Sequence, residues 1–264
     1  MLRLEANQAV NLTILGIATF VNAPSPALAQ SPLTSVAMDP FIRAVETIKR
    51  SVSPVDCMAV HGAEAKILQR AGSAFFISKS GDFMTAAHVI RGMRKGDKPC
   101  PTSALTLPVD SWHPESRDET FAWFPFDTSE CRIDDDSDLA VCRLNQDLLG
   151  PKLTSMLSPV TFEWNVPPDG TQVAFTGFPM YARDPMTVRS AVSAYRIQWQ
   201  SEKPGPELLL DRPAWPGYSG SPVYLSDGTV IAILVAGGKD DATGITLARP
   251  ASLIRKFLSE EQKK

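Results

Sequence analysis

Apolar positions recur along this chain first at helical spacing and then at strand spacing. Between Met38 and Val52, Phe41, Ala44, Val45 and Ile48 share one face. Asp39 can cap that segment and Pro40 suits its first turn, so the pattern predicts a helix ended by Ser53-Pro54. From Cys57 the apolar runs become short or alternating. They predict strands at Cys57–Val60, Ser73–Ser78, Phe83–Ala87, Ala104–Val109, Thr120–Phe124 and Leu139–Leu144. Turn residues such as Lys79-Ser80-Gly81-Asp82 and Gly96-Asp97-Lys98-Pro99 separate them. Beyond a loop-like connector, Asn145 to Pro159, a second set follows at Gln172–Thr176, Val188–Tyr195, Glu207–Leu210, Ser221–Tyr224, Val230–Ala236 and Ile245–Ala248. Leu253, Ile254, Phe257 and Leu258 then give the tail from Ala251 an amphipathic helical pattern. The expected class is mostly β, with two six-stranded antiparallel barrels between an N-terminal and a C-terminal helix. By strand pattern alone a single β-sandwich fits as well. The expected divisions are a leader at 1–29, the helix and linker at 30–54, a first barrel at 55–155 and a second at 156–264.

Composition narrows this picture. The 22 prolines in 264 residues favour strands and loops over long helices. A formal charge of −3 gives no electrostatic reason to expect nucleic acid or an anionic membrane as partner. Residues 1–29 read as a secretory signal: Arg3 at the start, an apolar run from Val10 to Val21, and Ala27-Leu28-Ala29 as the cleavage site. The expected location is therefore the periplasm or the exterior, with no membrane segment in the mature form. Four cysteines, Cys57, Cys100, Cys131 and Cys142, fit two disulfides in an oxidising compartment. Three pairings are possible, and pairing of sequence neighbours gives Cys57–Cys100 and Cys131–Cys142. No C-x-x-C or H-E-x-x-H pattern occurs, so no metal or other cofactor is expected.

The candidate chemistry centres on Pro216-Gly217-Tyr218-Ser219-Gly220-Ser221-Pro222. Glycines on both sides let the backbone turn sharply, expose the Ser219 hydroxyl and gather amide N–H groups, as an acyl-transfer nucleophile needs. The three histidines, His61, His88 and His113, all precede Ser219. That order excludes an α/β-hydrolase triad and leaves the orders Asp-His-Ser or His-Asp-Ser. His88 is the best base, because Thr85-Ala86-Ala87 leaves room around its imidazole; His61 and His113 sit in polar surroundings and read as surface residues. Asp134-Asp135-Asp136-Ser137 reads as a solvated turn, whereas Asp138 leads directly into the apolar strand Leu139-Ala140-Val141-Cys142 and suits an orienting acid.

Together these segments resemble the trypsin/chymotrypsin superfamily, and within it the bacterial HtrA (DegP-like) peptidases. The resemblance rests on Thr85-Ala86-Ala87-His88, Asp138-Leu139-Ala140-Val141 and Gly217-Tyr218-Ser219-Gly220-Ser221-Pro222. Gly72-Ser73-Ala74-Phe75, Gly177-Phe178-Pro179, Val192-Ser193-Ala194 and Leu247-Ala248-Arg249-Pro250 support it. It covers roughly residues 41–258, without a PDZ module after them. The resemblance implies an exported serine endopeptidase acting on protein or peptide. Ser219 would be its nucleophile, His88 its base and Asp138 the orienting acid, with the Gly217 and Ser219 amides as oxyanion hole. It also implies a primary pocket near Pro213, Leu234, Val235 and Ala236, suited to small or apolar side chains. Pro213 stands where basic-specific relatives carry an aspartate, and Ser221 replaces a common glycine. The alternative is an inactive or latent protease-like binding module, with Tyr218 crowding the nucleophile. No oligomeric state is implied.

Overall fold

A computed structural model describes residues 39–61, 64–94, 99–108, 121–145, 147, 154–155, 157–179, 182–196, 205–237 and 244–259. The expected leader and His113 lie outside the described residues, as does much of the connector after Asn145. The first half contributes β1 (Val52–His61), β2 (Glu64–Phe76), β3 (Asp82–Ala86), β4 (Thr102–Pro108), β5 (Phe121–Pro125), β6 (Arg132–Asp134) and β7 (Leu139–Arg143). These form one antiparallel sheet in the order β5-β4-β1-β2-β3-β7-β6. The second half contributes β8 (Gln172–Gly177), β9 (Met186–Arg196), β10 (Glu207–Leu210), β11 (Pro222–Tyr224), β12 (Val230–Gly237) and β13 (Thr246–Pro250). They close into a barrel in the order β10-β13-β12-β11-β8-β9. The mostly β, double-sheet architecture agrees with the expectation, and helices α1 (Pro40–Lys49), α2 (Ala87–Arg94) and α3 (Ala251–Ser259) accompany it. Among the described residues, no helix is long and apolar enough to cross a membrane.

Three local expectations are corrected. The first helix ends at Lys49, and Val52-Ser53-Pro54 opens β1 instead of serving as linker. Pro54 cannot donate to the ladder, and the Ser53 hydroxyl donates to the Thr106 carbonyl of β4 at 2.8 Å where that donor is missing. Residues 64–72 also belong to β2, although Glu64-Ala65-Lys66 and Leu68-Gln69-Arg70 carry no alternating pattern. They are extended because β1 pairs with them as far as His61↔Glu64, so tertiary pairing overrides weak local preference. Finally, β6 supplies a seventh strand just before the acidic turn.

Two apolar clusters hold the fold. Phe83, fully buried, meets Phe76 and Phe126 edge-on in the cluster that fills the first sheet and runs on to the barrel and helices. The barrel interior is packed by Phe175, Tyr218, Ile231, Leu234 and others. The helices tie the two halves crosswise. Asp39 accepts from the Phe41 N–H at 2.9 Å and pairs with Arg189 of β9 at 2.8 Å, so the N-terminal helix sits on the second barrel. The Phe41 N–H bond first, and Arg189 second, hold the Asp39 carboxyl below its ordinary range. At the other end, Arg132 of β6 donates to the Phe257 carbonyl and lies 3.8 Å over its ring, so the C-terminal helix returns to the first sheet.

Both disulfides join sequence neighbours. Cys57 pairs with Cys100 across 43 residues and Cys131 with Cys142 across 11. Loop entropy makes the longer bridge the more valuable. Replacing Cys57 and Cys100 by Ala is expected to cost ~4 kcal/mol, against ~3 kcal/mol for Cys131 and Cys142. Urea unfolding of the two double variants measures this, and a reversed order would contradict it.

Candidate active site

Asp138 is placed by an unusual backbone. Its φ of 56° is left-handed, a conformation that Asp tolerates better than most side chains, at the end of the turn entering β7. This turns both its carbonyl and its carboxylate onto the start of α2. The carbonyl accepts the Ala87 N–H at 3.0 Å, and Oδ1 accepts the His88 N–H at 2.9 Å. Two orphan amides of the helix start are thereby satisfied, and the helix dipole favours the negative charge. The other oxygen, Oδ2, lies 2.8 Å from His88 Nδ1. Asp138 is buried while the His88 side chain is 43% exposed, so the acid is sheltered and the imidazole's far side reaches solvent. Among the described residues Asp135 and Asp136 are exposed, as a solvated turn requires.

The Ser219 loop belongs to the second barrel but rests on the first sheet. Gly220, at φ +89°, lies so close that a Cβ there would stand 2.0 Å from the Ser73 carbonyl and 2.4 Å from Thr85 Oγ1. Gly72 is equally tight: a Cβ would meet Val89 at 2.7 Å and the Ser219 carbonyl at 2.8 Å. Ser219 therefore sits across one glycine from the residue that follows His88. A Cβ on Gly177 would stand 1.9 Å from Ser221 Oγ, which explains why a serine is accommodated at that position. Ser221 Oγ itself is buried without a hydrogen-bond partner among the described residues.

Within the loop, the Tyr218 N–H donates to the Trp215 carbonyl at 3.1 Å, the Gly220 N–H to Leu234 at 2.7 Å, and the Ser221 N–H to Tyr218 at 2.9 Å. Among the described residues the Gly217 and Ser219 N–H groups have no acceptor, and Gly217 takes the left-handed φ of 98°. These amides, two residues apart, are free to receive a developing negative oxygen. Ser219 Oγ and His88 Nε2 also lack a hydrogen-bond partner among the described residues, so a bond between the histidine and the serine is not made in this structure.

Tyr218 does not crowd the serine. Its ring is fully buried in the barrel, edge-on to Phe175 at 5.1 Å, and burial pushes its phenol up to about 12. Two of the four expected pocket residues, Leu234 and Val235, pack into the apolar clusters. Leu234 turns its side chain into the barrel interior and meets the loop through its backbone, its carbonyl accepting the Gly220 N–H and its N–H donating to the Ser221 carbonyl at 2.9 Å; Val235, at an irregularity in the β12–β13 register, packs into the other cluster. Pro213 is exposed, and the Ala236 side chain lies outside the described residues. A cavity of about 350 Å³ instead borders His88, lined by Val89, Met93, Leu68, Ala71 and the Cys57–Cys100 bridge. Sequence reasoning marked Ser73 and Thr85 only as parts of motifs. Ser73's bond to the loop spans 144 residues and Thr85 meets Gly220 from a similar distance along the chain, which no local pattern encodes.

With this geometry in view, comparison with known proteins is informative. A family model described as trypsin-like peptidase domain matches residues 72–233. No curated protein matches by sequence. Among solved structures, the HtrA-type protease AlgW with a decapeptide is similar at a TM-score of 0.62 and 18% identity, over 83% of this chain and 66% of that one. AlgW with a tripeptide gives 0.60 and 20%, over 83% and 62%. Deg5 gives 0.60 and 18%, over 82% and 91%. The chain thus spans less than two thirds of AlgW's length, and the likeness at these identities is one of fold.

Tyr218 supplies a test of the loop's anchoring. Tyr218→Ala is expected to cost ~3–5 kcal/mol, as truncation of a buried aromatic does, while Tyr218→Phe costs little because, among the described residues, the phenol makes one long hydrogen bond of 3.5 Å to the Met186 carbonyl. Because the folded value of about 12 lies above the ordinary 10.0, this phenol's contribution is intact below pH ~10 and is lost as pH rises toward ~12. Thermal melts across that range should show a smaller alkaline loss in Tyr218→Phe than in the wild type.

Proposed function

The chain belongs to the trypsin-like peptidase domain family, and from that premise we propose that it is a serine endopeptidase working through His88, Asp138 and Ser219. One observation carries the reading. The loop that presents Ser219 together with the uncommitted amides of Gly217 and Ser219 docks beside the histidine whose Nδ1 is held by a buried carboxylate. In the proposed mechanism Ser219 Oγ attacks the scissile carbonyl and His88 Nε2 takes its proton. Asp138 keeps the other ring nitrogen protonated and stabilises the imidazolium. The new oxyanion accepts from the Gly217 and Ser219 N–H groups. Collapse expels the amine, which takes the proton back from His88, and water then repeats the sequence on the acyl-enzyme.

The substrate class is protein or peptide. Peptide complexes of AlgW, whose fold is similar, support this, and the apolar cavity beside His88 favours an apolar side chain near the cut. The same proposal includes export before maturation, supported by the leader pattern ending at Ala27-Leu28-Ala29 and by the two disulfides. A second reading, a latent or inactive protease-like binding module, is favoured by the unmade bond between Ser219 Oγ and His88 Nε2. Free enzymes often tighten such bonds only with substrate present.

Turnover decides between the two. Hydrolysis of a quenched-fluorescent peptide library by the wild type should vanish in Ser219→Ala. It should fall on the order of 10⁴-fold in kcat in Asp138→Asn, where the imidazole is held in the wrong tautomer. A folded wild type that cleaves nothing, or a Ser219→Ala variant that cleaves normally, would sink the catalytic reading.

A further inference from the structure

Ser73 lies on β2, in the first sheet, yet every polar group it owns is committed to holding the site together. Its N–H donates to the Ser219 carbonyl at 2.8 Å. Its hydroxyl donates to the Gly217 carbonyl at 2.8 Å and accepts the Phe178 N–H, also at 2.8 Å. Its carbonyl accepts from Thr85 Oγ1 at 2.8 Å, three residues before His88. The residue is fully buried, so water does not compete for these bonds.

These contacts control the two free amides. The peptide plane between Gly217 and Tyr218 is held at both ends, its carbonyl by the Ser73 hydroxyl and its N–H by the Trp215 carbonyl. The plane between Ser219 and Gly220 is likewise held at both ends, its carbonyl by the Ser73 N–H and its N–H by the Leu234 carbonyl. The N–H groups of Gly217 and Ser219 belong to the planes just before each of these. Their directions are therefore fixed by neighbours that cannot rotate. The neighbourhood is braced in turn: Phe178 is held over by Arg70, whose guanidinium lies 5.5 Å from that ring, donates to the Ala182 carbonyl and pairs with the buried Asp56 at 3.0 Å.

We propose that Ser73 is a positioning residue for catalysis, whose hydroxyl locks the Gly217 carbonyl and so preorganises the oxyanion-binding amides across the seam between sheet and barrel. This rests on the serine peptidase reading above. A preorganised hole lowers the barrier because its donors need no reorientation as charge develops, and the ground-state peptide gains little from it.

The effect is read by comparing kcat with KM in Ser73→Ala on a peptide that the wild type cleaves. The expected result is a fall in kcat on the order of 10²-fold, with KM changed less than about threefold. Affinity for a peptide boronic acid, whose adduct on Ser219 puts an oxygen in the hole, should fall in parallel with kcat. Binding of the uncleaved peptide should stay the same in Ser219→Ala with and without the Ser73 change. A purely structural role would lower thermal stability and move all three readouts together. If Ser73→Ala does not fold, Ser73→Cys, similar in size and only a weak donor, is read by the same criteria. Unchanged kcat, or kcat and peptide binding lost together, overturns the inference. A wild type without turnover fails earlier, at the peptidase reading itself.

Discussion

The structure depends on one seam, where the serine loop of the second barrel is laid against β2 and β3 of the first sheet. Three glycines make that approach possible: a side chain on Gly72, Gly177 or Gly220 would collide with backbone or a buried hydroxyl within 3 Å. Close packing alone leaves orientation open, and hydrogen bonds supply it. Ser73 receives and donates across the seam with bonds of 2.8 Å, so neither half of the chain holds a competent geometry by itself. The crosswise helices serve the same end, with α1 on the barrel through Arg189 and α3 on the first sheet through Arg132. They oppose any opening of the seam.

On the first sheet, Asp138 performs two tasks with one carboxylate. It caps the helix that begins at Ala87 and it orients the imidazole of His88. Because both tasks use the same group, the helix start and the histidine are positioned as one unit. The left-handed backbone at Asp138 is a local cost, of order 1–3 kcal/mol for such residues. The capping bonds and the charge at the helix N-terminus offset it.

Much of this was legible in the residues. Short alternating runs revealed most strands, and the order His88, Asp138, Ser219 singled out three segments that the fold brings to one seam. The illegible parts share a physical cause. Residues 64–72 are extended only because β1 lies beside them, and Leu234 faces inward because of the β12 register. As a sequence neighbour of Ser219, Tyr218 reads as an obstruction, but the turn at Gly217 sends its ring into the barrel. Ser73 stood out only as part of the Gly72-Ser73-Ala74-Phe75 motif, and its bracing role did not, because a serine in a strand reads the same whether its hydroxyl meets water or a carbonyl 144 residues away.

The central claim is that this seam arms Ser219 as a nucleophile. The most direct test is to treat the folded protein with a fluorophosphonate and locate the adduct by mass spectrometry. The account predicts one stoichiometric adduct on Ser219, absent from His88→Ala and from heat-unfolded protein. A folded wild type that never labels, or labels at another residue, would contradict it.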